Sequence, residues 1–197
     1  SGAARYSHDP ETLAPTGLYL EPASTNHIKY SSDFSHSLWT KQDVTILTET
    51  TTAPDGGTTP WLDLTGYILQ DIHSVTSNTW TGSIWLKAET PCSLSFRFMY
   101  DESIVETINI TTEWKRFQLT GTRASNTIRI MLDNRGNLTA NTVKIAMWGP
   151  QIELGSYPTS YIPTEAATVT RAADVYTSTP NLTETFEPRG LLIEEAR

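Results

Sequence analysis

The sequence predicts an all-β protein: a two-sheet antiparallel β-sandwich of the jelly-roll type with about nine strands, an irregular N-terminal arm and a C-terminal strap. Three observations carry this reading. Threonine is the commonest residue, β-branched and aromatic residues abound, and no stretch longer than about ten residues keeps a helical period. Strand-like segments recur every ten to twelve residues or so, with turn residues between them. The late stretch from Thr142 to Thr164 alternates as a half-covered strand does, breaks at Gly149-Pro150, and resumes before passing into a proline- and tyrosine-rich tail.

Residues 1–43 are polar and irregular apart from Gly17-Leu18-Tyr19-Leu20-Glu21, which should make a short strand on an edge of the main body. Phe34, Leu38 and Trp39 share the apolar side of one expected helical turn that would plug one end of the core. Val44-Thr45-Ile46-Leu47-Thr48 opens the regular strands. After it, Asp55-Gly56-Gly57 supplies the positive φ angles that a reversal needs. Further strands are expected over 60–65, 67–74, 80–88, 93–100, 103–110, 114–121, 127–133 and 142–154. Pro150 lacks a backbone donor, so the interruption in the last of these should be a bulge or an edge position. Gly155 ends that strand, and SYPTSYIPT at 156–164, with prolines that favour extended backbone and tyrosines that need a surface to lie on, reads as a strap over the domain.

A chain of 197 residues with 38% hydrophobic and 10% aromatic residues can bury a sizeable single core. Its net charge of -8 disfavours nucleic acid and anionic membrane as partners, since both require a basic face. No apolar run is long enough to span a bilayer and no signal-peptide core opens the chain, so an intracellular protein, a fragment or something released by lysis is expected. Cys92 is the single cysteine, which leaves no disulfide within the chain. His8, His27, His36 and His73 have no ligand spacing and give metal catalysis no support.

Alternation also sorts side chains by face. Ile84 and Leu86 point to the core and leave Trp85 and Lys87 opposite. In the next strand Leu94, Phe96, Phe98 and Tyr100 are core, with Arg97 and Met99 opposite. Arg129, Met131 and Asp133 form the outer set of 128–133, and Lys144 and Trp148 that of the late strand. Exposed sheet positions usually carry Thr, Ser, Lys and Glu, so tryptophans there ask for a cover. Two readings stand. Either the strap at 155–163 or the N-terminal arm buries the rings, or the face is a ligand platform on which sugar C–H faces stack on indole while Arg and Asp bond the hydroxyls. On the second reading the ligand-binding residues are Trp85, Arg97, Arg129, Asp133 and Trp148.

Several phrases carry a family likeness: Asp33-Phe34 with Trp39, TGSIWLKA at 81–88, WKRF at 114–117 and VKIAMWGPQIE at 143–153. Together they resemble the jelly-roll carbohydrate-binding modules found beside xylanases and glucanases. PTGLYLEPASTN at 15–26 and SYPTSYIPTEAATVTRAADVY at 156–176 resemble, more narrowly, modules repeated in bacteriophage tail-fibre and tail-spike proteins and related prophage proteins. The likeness covers most of the chain. It implies adhesion to a cell-surface or environmental polysaccharide, a virion or extracellular location, and the structural calcium frequent in such modules, held by N-terminal and late-strand oxygens.

PTGLYLEPA at 15–23 is echoed by PRGLLIEEA at 188–196, which suggests a module followed by the start of the next copy. The expected organisation is an arm over 1–43, a carbohydrate-binding sandwich over 44–176, and a linker with the start of a possible further module over 177–197. Catalysis would need two carboxylates on one cleft, and of Asp101, Glu102, Asp133 and Glu153 only Asp133 falls on the aromatic face. Hydrolase elbows, metalloprotease helices and phosphate loops are absent from the sequence. A non-catalytic glycan-binding module is therefore expected. The alternatives are an assembly module packing against neighbouring modules or fibre subunits and, behind it, a polysaccharide hydrolase or lyase.

Overall fold

The computed structural model describes residues 6–8, 15–18, 20–76, 78–99, 104–123, 126–136 and 141–175. Twelve strands occur among them: β1 (Tyr6–His8), β2 (Pro15–Leu18), β3 (Ser24–Asn26), β4 (Thr40–Thr52), β5 (Thr58–His73), β6 (Asn78–Ala88), β7 (Cys92–Phe98), β8 (Ile104–Ile110), β9 (Lys115–Arg123), β10 (Thr127–Asp133), β11 (Val143–Leu154) and β12 (Val169–Arg171). The fold is all-β, as the sequence predicts, and no described helix is long and apolar enough to cross a membrane. The chain divides into two compact units, one of residues 21–173 and one joining 1–20 with 174–197. Described in the second unit are β1 and β2, paired antiparallel with Tyr6 opposite Leu18. The Gly17–Glu21 phrase thus contributes to a strand, but its partner is Tyr6–His8. Tyr100, Asp101, Glu102 and the echo at 188–196 lie outside the described residues.

In the larger unit eight strands hydrogen-bond in the order β8-β7-β10-β5-β11-β6-β9, with β4 also on β5. The strands expected over 60–65 and 67–74 are one long strand, β5, that serves both halves of the sandwich. Its first half pairs with β11 through Trp61–Leu64, and its second with β10 through Tyr67–His73. Gly66 is the corner: a Cβ there would lie 2.2 Å from the Gln42 carbonyl oxygen, beside the register shift in β4 between Gln42 and Val44. Only glycine admits so close an approach of two backbones. The two halves then face each other, since a Cβ on Gly82 of β6 would meet the Phe98 ring of β7 at 2.6 Å.

Between them lies the core, with Leu62, Leu64, Ile84, Leu86, Leu94, Phe96, Phe98, Ile130, Leu132, Ile145 and Ile152 nearly fully buried. Met99 departs from the expected alternation. Its φ of 78° at the end of β7 turns the side chain back into this core rather than outward. The expected helical turn is instead a run of reverse turns closed by Asp33 N–H to the Tyr30 carbonyl, His36 to Asp33 and Trp39 to His36. Phe34 and Trp39 plug the core as anticipated, edge to face at 5.5 Å, while Leu38 stays exposed. The Lys41 ammonium donates to the carbonyls of Phe34, Ser35, His36 and Trp39 at 2.9–3.2 Å, gathering carbonyls that no helix satisfies.

The bulge expected at Pro150 is present, with the β11–β6 register shifting between Trp148 and Gln151. From Gly155 the strap crosses β6 and β9: Gly155 N–H donates to the Thr79 carbonyl, Thr81 Oγ1 to the Gly155 carbonyl, and an Arg116 Nη2 to the Thr159 carbonyl. Thr164 then bonds Ser31 and Ile28, and β12 pairs with β3. Buried Glu153 anchors this crossing by accepting from Ser24 Oγ (2.7 Å), Gln151 Nε2 (3.0 Å) and both the backbone and hydroxyl of Thr159. Every oxygen of that carboxylate is thereby used, which is the condition for burying it.

Candidate functional site

Alternation states only whether a side chain points to the core, and a sandwich has two outer faces. The five residues expected on one platform are divided between them. Trp85 on β6 and Trp148 on β11 are direct register partners on one outer face. Arg97 on β7, with Arg129 and Asp133 on β10, lies on the other, where Arg97 neighbours Met131 and Asp133 neighbours Tyr67. The physical reason is the bend at Gly66, which turns two stretches of one sheet to face each other and so sends their outer surfaces apart.

On the tryptophan face the cover is the strap. Trp85 and Trp148 meet edge to face at 6.5 Å, and Tyr161 of the strap tilts onto Trp148 at 4.5 Å with its hydroxyl 2.7 Å from Ser31 Oγ. Gly149, at φ 60°, lets the Tyr161 ring approach to 3.3 Å of where a Cβ would stand. Both tryptophans remain partly exposed. Beside them Trp61 is nearly buried, with the Lys87 and Lys144 ammonium groups 5.8 and 5.5 Å from its ring centroid. Lys144 also bonds Glu49 and Glu89 at 2.7 Å, which raises its pKa to about 12.

The opposite outer face carries a groove of about 360 Å³ lined by Thr40, Tyr67, Leu69, Asp71, Arg129, Met131 and Arg135. Met131 and Leu69, cross-strand partners, form an apolar floor that is nearly covered. Arg129 forks onto its partner Asp71 through Nε at 2.8 Å and Nη2 at 2.9 Å. Asp133, with 1% of its side chain exposed, forms an ion pair with Arg97, whose Nε stands 3.0 Å from one oxygen, and accepts a hydrogen bond from Arg135 Nε at 2.9 Å on the other. The Arg135 backbone N–H also donates to Asp133, and the Arg135 guanidinium rests 4.4 Å from the centre of the Tyr67 ring. Burial pushes the Asp133 carboxyl up, but the hydrogen bonds and charge of Arg135 and the charge of Arg97 outweigh it and hold the group below the usual carboxylate range.

Of the residues expected to bind ligand, Arg97, Arg129 and Asp133 lie on this face and Arg129 lines the groove, whereas Thr40, Tyr67, Leu69, Asp71 and Arg135, which also line it, were not among them. Alternation through the second half of β5 would have given Tyr67, Leu69 and Asp71 a common face. Arg135 lies past the end of β10, where periodicity carries no information.

Two buried carboxylates of the described segments where the calcium is expected are already engaged by protein groups. Glu153 is filled by protein donors, and the other buried carboxylate near the strap, Glu21, accepts from the Ser160 N–H and pairs with Arg171 at 3.0 Å. Among the described residues no three His, Cys, Asp or Glu side chains gather as a metal site.

No protein-family model matches the chain, and no curated protein matches it in sequence. Among solved structures it is similar to a CBM61 carbohydrate-binding module in complex with β-1,4-galactotriose, at 12% identity over 66% of this chain and 99% of that one, TM-score 0.46. It is also similar to the CBM22-1 xylan-binding domain from Paenibacillus barcinonensis, at 13% identity over 68% and 94% of the two chains, TM-score 0.44. A third likeness is to the tailspike protein 4 enzymatically active domain of bacteriophage CBA120, at 16% identity over 66% of this chain and 21% of that one, TM-score 0.43. Likenesses this distant carry no argument about what the chain binds, which must come from its own groove.

Proposed function

We propose that the protein is a non-catalytic carbohydrate-binding module that holds a polysaccharide in the groove of the Arg129–Met131–Asp133 face. The observation carrying this is a groove lined by Tyr67 and by fixed donors and acceptors above buried Met131 and Leu69, on the face that the strap's hydrogen bonds do not reach. A pyranose ring has the matching chemistry. Its C–H face can lie on the exposed part of Tyr67, while its hydroxyls accept from Arg129 and Arg135 and donate to Asp71. Guanidinium–carboxylate pairs hold those groups in place before the ligand arrives, which lowers the entropy lost on binding.

Catalysis is not the reading favoured here. A general acid needs a raised pKa, whereas Asp133 is held low and is almost wholly enclosed by two arginines. The phage-type phrases support the reading that such a module belongs to a tail fibre or related surface protein, in the virion or outside the cell, where binding alone serves attachment. An array of plant, bacterial and algal polysaccharides, read in parallel with a reducing-sugar assay, tests the proposal. Binding without product release is expected, and Asp71→Ala should weaken it roughly tenfold or more. Sugar release would restore the enzyme reading. Absence of any binding, together with a stable trimer by native mass, would favour the assembly reading instead.

A further inference from the structure

Resting on that reading of the groove, we infer that Asp71 reads an uncapped hydroxyl of the polysaccharide, so that the site takes a chain of free-hydroxyl sugars and turns away the same chain when it is O-acetylated. Asp71 stands two residues beyond Leu69 on one face of β5, with Tyr67 two residues before it, and all three line the groove. Leu69 and its cross-strand partner Met131 keep only 5% and 2% exposure. A ligand therefore meets the polar groups around this pair.

Among those groups Asp71 is the one that can only accept. An ionised carboxylate has no proton to give, and its two oxygens offer about four lone-pair sites. Arg129 uses two of them, Nε on Oδ1 at 2.8 Å and Nη2 on Oδ2 at 2.9 Å, and among the described residues no other group bonds Asp71. The fork fixes the plane of the carboxylate, yet 22% of the side chain stays exposed. Acceptor capacity is thus left over on a group that is held still and open to the groove. A sugar hydroxyl supplies the matching donor. An O-acetyl ester in the same place brings only acceptor oxygens and a methyl, so Asp71 loses its water without gaining a bond. A site that bonds a hydroxyl discriminates most strongly when its polar group would otherwise be left wholly unpaired. With Arg129 already in place the contrast is smaller, on the order of tenfold.

The test titrates soluble fragments of partly O-acetylated xylan, glucomannan and galactan, each beside its alkali-deacetylated counterpart, into the parent protein. At least one deacetylated fragment should bind, with its acetylated form at least about tenfold weaker. Asp71→Asn sets a donor beside an acceptor, so the two forms should come within about threefold of each other. Asp71→Ser, likewise donor and acceptor, gives the same reading if the amide variant does not fold. A role confined to holding Arg129 would instead lower both forms together and keep their ratio. Equal binding of the two forms by the parent, tighter binding of the acetylated form, or a ratio unchanged in a folded Asp71 variant overturns the inference and leaves the glycan-binding reading standing. If no fragment binds, both fall.

Discussion

Asp133 shows how much one side chain can organise. It sits at an outward position of β10, yet it is buried because two arginines and a backbone N–H close over it. Its pKa is lower folded than the unfolded value of about 3.9. It therefore contributes stability that is complete above about pH 4 and is lost as the pH falls through the folded value. Asp133→Asn should cost about 1–2 kcal/mol near neutral pH, limited by the partial exposure of both arginines. That corresponds to a melting-point loss of roughly 2–8 °C, with a shallower decline than the parent below pH 4. Thermal melts at pH 7 and pH 3 check both, and an unchanged acid slope would show that the pairing is not what stabilises this end of β10. Gly82 is a different kind of constraint. A methyl there would stand 2.6 Å from the Phe98 ring, so Gly82→Ala should cost about 1–3 kcal/mol by overpacking, measurable as a lower denaturant midpoint at unchanged slope.

At the scale of elements, the strap and the long strand β5 decide which surfaces are available. Tyr161→Ala should release the strap from Trp148 and raise the exposure of that indole, seen as a red shift and greater quenching of tryptophan emission. Glycan affinity should remain within about twofold, because the groove lies on the other face. Strand positions, the Gly149-Pro150 bulge and the strap were legible in the sequence because each has a local cause: period-two burial, a missing donor, two prolines beside two tyrosines. The corner at Gly66 was not. A glycine between two apolar runs reads equally well as a turn between strands, and only the Gln42 backbone pressed against it shows that one strand continues through. Met99 was missed for a related reason, since nothing in a strand's periodicity announces a positive φ at its end.

For the whole molecule, the consequence of that corner is that polar and aromatic outer residues belong to two surfaces with different fates. Alternation correctly sent Trp85, Arg97, Arg129, Asp133 and Trp148 away from the core. It could not say that β5 bends between them, and so pooled a strap-covered aromatic face with an arginine-lined groove. The acidic chain thus carries a groove lined by arginine–carboxylate pairs on one side and a tied-down tryptophan pair on the other. The most direct test is isothermal titration of one bound oligosaccharide into the parent, Arg129→Ala, and the double variant Trp85→Ala with Trp148→Ala, each confirmed folded by circular dichroism. The groove account predicts that Arg129→Ala loses at least about tenfold in affinity while the double tryptophan variant stays within about threefold of the parent. A double variant that no longer binds, beside an Arg129→Ala that binds as the parent does, would contradict it and return the site to the tryptophan face.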